Sequence, residues 1–334
     1  MNKTAASIAS FLFIMPGLLF GTNAQKAYEA ARQRATDTTD IFDSGTVDIH
    51  ASFRIYPAAG QITGTYRYSQ LSKNEVRVDV QSPDFNESLL ERGGEQYTLR
   101  SRDLEPLAIW YLRQLVRTAH AVPHYLVSST TQDSPNSTCF GQERTPGTRF
   151  EYYGARVCFD QDTGVLMSAE WSFNTDRDRL EFSDFQKVEG KLFPATMRRF
   201  RNGKLFVEVS VETVTHAGAN EALFVPPTNA VRQQLCTKFQ PAEQSEYSED
   251  YFRIRSSYKS GSVVIGGLLD EQGKVQKTEI EESDGAKMDE AALNALKETH
   301  VHPAKCDGKA VQAFFRFQIW FSPAPHPDSF QSFR

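Results

Sequence analysis

Residues 261–321 read GSVVIGGLLDEQGKVQKTEIEESDGAKMDEAALNALKETHVHPAKCDGKAVQAFFRFQIWF, and the apolar period changes twice within them. An apolar run is followed by the turn DEQG, in which Gly273 can take a left-handed conformation, and then by a solvent-leaning strand from Lys274 to Ser283. The period then becomes helical. Met288, Ala292, Leu293, Ala295 and Leu296 form one apolar stripe over about three turns, and Asp289 and Glu290 suit the positive N-terminal end. Pro303 stops the helix and CDGK turns the chain into an alternating strand. There Val311, Ala313, Phe315, Phe317, Ile319 and Phe321 share one face, with Gln312, Phe314, Arg316, Gln318 and Trp320 on the other. A helix this short has little stability alone, so it is expected to cover a three-stranded sheet in a β-β-α-β domain.

Outward from this unit, 334 residues suit two domains better than one core. The chain is 40% hydrophobic, and 24 Phe with 12 Tyr lean towards strands. A net charge of −5 without a long basic run lacks the footprint of a nucleic-acid partner. Residues 1–24 place Lys3 before an apolar run and end at Ala24, the layout of a cleaved secretory signal peptide. Left uncleaved, the same run would be an inner-membrane anchor, although Pro16-Gly17 interrupts it.

Residues 25–40, Ala- and Arg-rich without glycine or proline, read as a helical arm, either a helix or a frayed arm. From 41 to 225, TVDIHASFRIY, QITGTYRYSQL, NEVRVDVQS, EQYTLRS, RFEYYGARVCFD, GVLMSAEWSFN, RLEFSDFQKVEG and GKLFVEVSVETVTH read as antiparallel strands separated by turn compositions. One helix interrupts them at EPLAIWYLRQLVRTAHAV, residues 105–122, with Leu107, Trp110, Tyr111, Gln114 and Leu115 at helical spacing. The expected fold is therefore α+β: an N-terminal curved, half-barrel-like antiparallel sheet with a covering helix, and the small C-terminal domain at 251–334. Residues 226–250, with adjacent prolines and an acidic tail, read as a linker.

In an exported chain the four cysteines read as two disulfides. Cys139 and Cys158 flank a Gly/Pro turn between two strand-like runs and are the expected pair, which leaves Cys236 with Cys306. Zinc spacing is missing. His120 and His124 have i, i+4 spacing without a HExxH glutamate, GGLL at 266–269 precedes no helix, no Gly-x-Ser-x-Gly occurs, and Asp176 with Asp178 reads as a turn. No enzyme activity, cofactor or metal is expected from this pattern.

The hairpin GSVVIGGLLDEQGKV, the helix entry ESDGAKMDEAALNALK, HVHPAKCDGKAV and the aromatic closing strand together resemble the C-terminal domain of TonB energy transducers, over about 260–321. The resemblance implies a periplasmic domain that takes a short strand from an outer-membrane transporter, or another periplasmic protein, by β-augmentation. Gln312, Arg316, Gln318 and Trp320 would then lie near the partner-binding edge, and a free edge would also permit a homodimer. The family's energy-coupling members have a His-bearing membrane helix and a long Pro-rich spacer, features this chain does not share.

Four strands, a helix and a return to long strands after a leader also resemble the periplasmic lipoprotein-carrier (LolA-like) fold over residues 41–225. That resemblance implies a cavity for acyl chains, with Trp110, Tyr111, Leu115 and Trp171 near it. The alternative role is thus lipid carriage. Aromatics at this spacing also fill sheet-on-helix cores without any ligand.

Overall fold

The computed structural model describes residues 23–42, 45–57, 60–119, 121–122, 124–125, 127–141, 155–173, 176–216, 220–246, 261–297 and 299–321. Of the expected signal peptide, residues 1–22 lie outside them, and Asn23 and Ala24 fall in the first helix. The chain is α+β and divides into two compact units, one of residues 1–40 and 118–205, the other of residues 41–117 and 206–334.

In the first unit helix α1 spans Asn23–Thr39, and six antiparallel strands follow in the order β6 to β11: Ser129–Ser134, Ser137–Gly141, Arg156–Asp160, Leu166–Phe173, Asp176–Val188 and Lys191–Arg201. The hydroxyls of Thr36, Thr38 and Thr39 each donate to the carbonyl four residues back, closing the last turns of α1. The helix is no frayed arm. Tyr28 is fully buried, with its ring 5.6 Å from that of Phe140 and 6.2 Å from that of Phe159. Cys139 of β7 faces Cys158 of β8 in register and is bonded to it, as expected. The sequence TDRD does not hold an acidic turn pair: Asp178 lies within β10, and its carboxylate is paired with Arg199 at 3.0 Å.

The second unit holds seven strands in the order β13-β5-β4-β3-β2-β1-β12. These are Val47–Ile55 (β1), Ile62–Ser72 (β2), Glu75–Gln81 (β3), Asn86–Arg92 (β4), Glu95–Arg100 (β5), Lys204–Thr215 (β12) and Val231–Gln234 (β13). Along β1 the burial alternates, with Val47, Ile49, Ala51, Phe53 and Ile55 in the core. Helix α2, Leu107–Thr118, adds Ile109, Tyr111, Leu112, Leu115 and Val116 to the buried residues, with Tyr111 edge-on to Phe206 at 5.6 Å.

Strand β4 does not announce itself in the sequence, because NESLLER carries the charge of a surface loop. Its Glu87 is nevertheless buried and paired with Arg100 and Arg113, so a strand with a buried ion pair presents a polar pattern. The segment expected to be a linker is not bare chain either. Its β13 pairs with β5, Phe239–Gln240 (β14) pairs with Lys305–Cys306 (β19), and Glu243–Glu246 (β15) pairs with His300–His302 (β18). Short exposed strands that take their order from long-range partners leave no periodic signal.

The C-terminal module completes this unit. Gly261–Leu269 (β16), Val275–Ser283 (β17), helix α3 at Ala286–Lys297 and Ala313–Phe321 (β21) form the expected β-β-α-β arrangement, with sheet order β17-β16-β21. Between α3 and β21, β19 pairs with the two-residue Lys309–Ala310 (β20).

Candidate interaction site on the C-terminal sheet

The hairpin β16–β17 is closed by Asp270, whose Oδ1 accepts from the backbone N–H groups of Gln272 and Lys274, while Gly273 takes φ +80° as its position requires. At the other end, Asp284 Oδ2 accepts from Ser262 N–H at 2.7 Å and Ser283 Oγ accepts from Gly285 N–H before α3 begins. One sheet face is apolar. Val263, Ile265, Leu269, Phe315, Phe317, Ile319 and Phe321 pack with Ala291, Ala292, Ala295 and Leu296 of α3, matching the alternation read from the sequence.

The opposite face is charged. Arg316 of β21 lies across the sheet from β17, where its Nε donates to Glu281 Oε2 at 2.9 Å. Its guanidinium also donates to the backbone carbonyl of Glu105, just before α2, stands 3.9 Å from the Glu105 carboxylate, and lies 5.8 Å from the Trp110 ring centre. Glu105 is in turn 3.1 Å from Arg113, which pairs with Glu87, as does Arg100. Three cations thus interleave with three anions. Burial raises the Glu105 carboxyl above the usual range, although Arg316 and Arg100 pull it back. Burial likewise raises Glu281 against the pull of Arg316, and lowers the guanidinium groups of Arg100 and Arg113. At the rim, Lys277 Nζ meets Asp103 at 2.6 Å and Arg102 pairs with Glu279.

Gln312, Arg316, Gln318 and Trp320 occupy different surroundings. Gln312 is exposed just before β21. Arg316 is held in the charge cluster, and Gln318 and Trp320 are each 6% exposed, with the Gln318 amide donating to Ser262 Oγ at 3.4 Å. Of the residues placed near a lipid cavity, Tyr111 and Leu115 are buried in the core beneath α2, and Trp110 is half-buried beside Arg316. Trp171 belongs to the first unit, half-buried with the Arg199 guanidinium 5.6 Å from its ring. Cys236 and Cys306 are bonded. Glu105, Glu281 and Glu87 carry no motif in the sequence.

A cavity of about 390 Å³ in the second unit is lined by His50, Thr65, Arg67, Arg77, Asp79 and Glu212, among others. Its two arginines are paired, Arg67 with Asp48, and Arg77 with Asp79 and the carbonyl of Leu223. Among the described residues no group of three or more metal-ligating side chains converges, and no helix is long and apolar enough to cross a membrane.

The architecture defines a class: an antiparallel-sheet protein that ends in a β-β-α-β module braced by a disulfide. Residues 244–323, about a quarter of the chain, match the family model described as Gram-negative bacterial TonB protein C-terminal. The match opens earlier than the sequence resemblance did and takes in β15 and its pairing with β18. No curated protein matches the chain. Among solved structures it is similar to a LolA superfamily protein from Nitrosomonas europaea at 9% identity and TM-score 0.40, covering 59% of this chain and 96% of that one. A DUF1329 family protein from Desulfovibrio piger gives 15% identity and TM-score 0.43, covering 61% and 98%. A putative outer membrane lipoprotein-sorting protein domain from Vibrio parahaemolyticus gives 12% and 0.37, covering 60% and 97%.

Proposed function

We propose that this is a periplasmic TonB-like interaction protein that docks an outer-membrane transporter, or another periplasmic protein, by strand addition to β21. The observation that carries the reading is the match over 244–323 together with the sheet order, in which β21 is the terminal strand. In strand addition, main-chain hydrogen bonds supply affinity and alternate side chains supply selectivity. Gln312 is the side chain placed to meet a partner directly. Arg316, Gln318 and Trp320 fix the strand from its covered face.

Photo-crosslinking from position 312 in living cells, with the captured species identified by mass spectrometry, tests this. Capture of the N-terminal segment of an outer-membrane barrel, or of one defined periplasmic protein, supports strand addition. Capture of a second copy alone makes β21 a dimer edge, and capture of nothing overturns the reading. The burial of Tyr111 and Leu115 supports a packing role for the α2 face over a lipid-lining one. Acyl chains that co-purify with the chain and are lost in a folded Trp110→Asp variant would favour lipid carriage instead.

A further inference from the structure

The two faces of the C-terminal sheet are covered in physically different ways. Against α3 the contact is apolar, with Phe317 and Ile319 each 1% exposed. Such a face is costly to uncover, since each large side chain would return to water. The other face meets residues 100–110 through ions. Buried ion pairs gain little net free energy, because desolvation cancels most of the attraction, and polar interfaces between modules are the ones that separate. The cluster shows that imbalance: Arg113 Nε is buried without a hydrogen-bond partner. The rim pairs Lys277–Asp103 and Arg102–Glu279 are exposed and contribute little.

A tether lies at a different point. Strand β13 continues the large sheet beyond β5, and Leu235 N–H donates to the Gly94 carbonyl at 2.9 Å. The next residue is Cys236, bonded to Cys306 of the module. The module is therefore covalently held one residue from a fixed sheet edge, whatever happens at the charged face.

We infer that the charged face is a reversible latch: Arg316 ties residues 104–110 to the sheet through the Glu105 carbonyl and the Glu281 carboxylate, and releasing it frees β21 for a partner strand while the Cys236–Cys306 bridge keeps the module in place. What release would serve rests on the strand-addition reading. The latch itself is a property of the free chain and is measured without any partner, so either idea can fail alone.

The test is amide hydrogen exchange on the full chain with its disulfides intact. Arg316→Gln keeps much of the side chain and removes the charge that binds the Glu105 carbonyl and the Glu281 carboxylate; Arg316→Ala removes the side chain. In both variants, amides of residues 104–110 and 277–282 are expected to exchange about tenfold faster, with those of α3 unchanged. A cross-link from Asp103→Cys with Lys277→Cys is expected to restore the wild-type rates. Unchanged exchange at 104–110 in Arg316→Gln overturns the latch. Equal acceleration in α3 does so too, because the charges would then simply hold the module folded.

Discussion

A β-carbon on Gly266 would stand 2.7 Å from the carboxyl carbon of Glu281, so the bare backbone of β16 is what lets that carboxylate lie across the strand to Arg316. The neighbouring Gly267 serves the other side: its β-carbon would come within 2.4 Å of the Phe315 ring and 2.5 Å of the Lys277 carbonyl. The Gly-Gly pair is a matter of room on both faces, with no left-handed backbone involved. Gly267→Ala must displace main chain and an aromatic ring, and is expected to cost about 2–3 kcal/mol. Gly266→Ala pushes only on a side-chain end, and is expected to cost about 1 kcal/mol while loosening the Arg316 pair. Urea denaturation of the two variants checks the order. Equal losses would mean that the Glu281 carboxylate is not held where Gly266 admits it.

Leu115 is fully buried on α2. If it fills a sheet-on-helix core, Leu115→Ala should lower stability by about 3 kcal/mol through lost transfer energy and an unfilled cavity. A leucine lining an open acyl-chain cavity would be truncated at a fraction of that. A thermal-melting difference equivalent to under about 1 kcal/mol would therefore return Leu115 to the lipid-lining role.

The sheet and the charged face should respond to pH with opposite sign. Burial would raise Asp48, but hydrogen bonds from Arg67, Ser69 and His50 outweigh it and hold the carboxyl below its usual range. Its contribution is fully present above about pH 3.9 and is lost as pH falls through the lowered value. Glu105 and Glu281 are raised by burial despite Arg316, with Arg100 also pulling on Glu105, and Glu279 and Glu282 pushing Glu281 further up. Their contribution is fully present below about pH 4.3 and is lost as pH rises through the raised values. The stability of wild type relative to Glu105→Gln should accordingly fall as pH rises above about pH 4.3, and that relative to Asp48→Asn should fall on acidification. Denaturant titrations at four pH values decide it; parallel curves for wild type and Glu105→Gln would rule out a raised Glu105.

The C-terminal module was legible because its signals are local: a turn with Gly273, a three-turn apolar stripe and a strand whose alternate residues face α3. Strand β1 was legible for the same reason, since its odd-numbered residues from Val47 to Ile55 are the buried ones. What stayed hidden depends on distant partners. Glu87 looks like a surface residue until Arg100 and Arg113 fold over it, and Val231–Gln234 is four exposed residues until β5 gives it a register. Arg316 was singled out for a partner outside the chain, yet its nearest carboxylates belong to Glu281 and Glu105, 35 and 211 residues away in sequence. No spacing rule reaches that far.

The two disulfides close loops of different length and should differ in what they stabilise. Cys139–Cys158 spans 19 residues and joins strands already paired in register. Cys236–Cys306 spans 70 residues and anchors β13 and β14, which are too short to persist alone. Loop closure predicts losses of about 3 and about 4 kcal/mol for paired Cys→Ala replacement. The sharper distinction is spatial. Removing Cys236 and Cys306 should increase hydrogen exchange in 231–240 and 300–310 while α1 and β8 keep their protection. Removing Cys139 and Cys158 should do the reverse, because that bridge lies wholly in the first unit. If loss of the Cys236–Cys306 bridge left 231–240 as protected as in wild type, β13 would be held by its pairing with β5 alone, and the bridge would not be the tether of the C-terminal module.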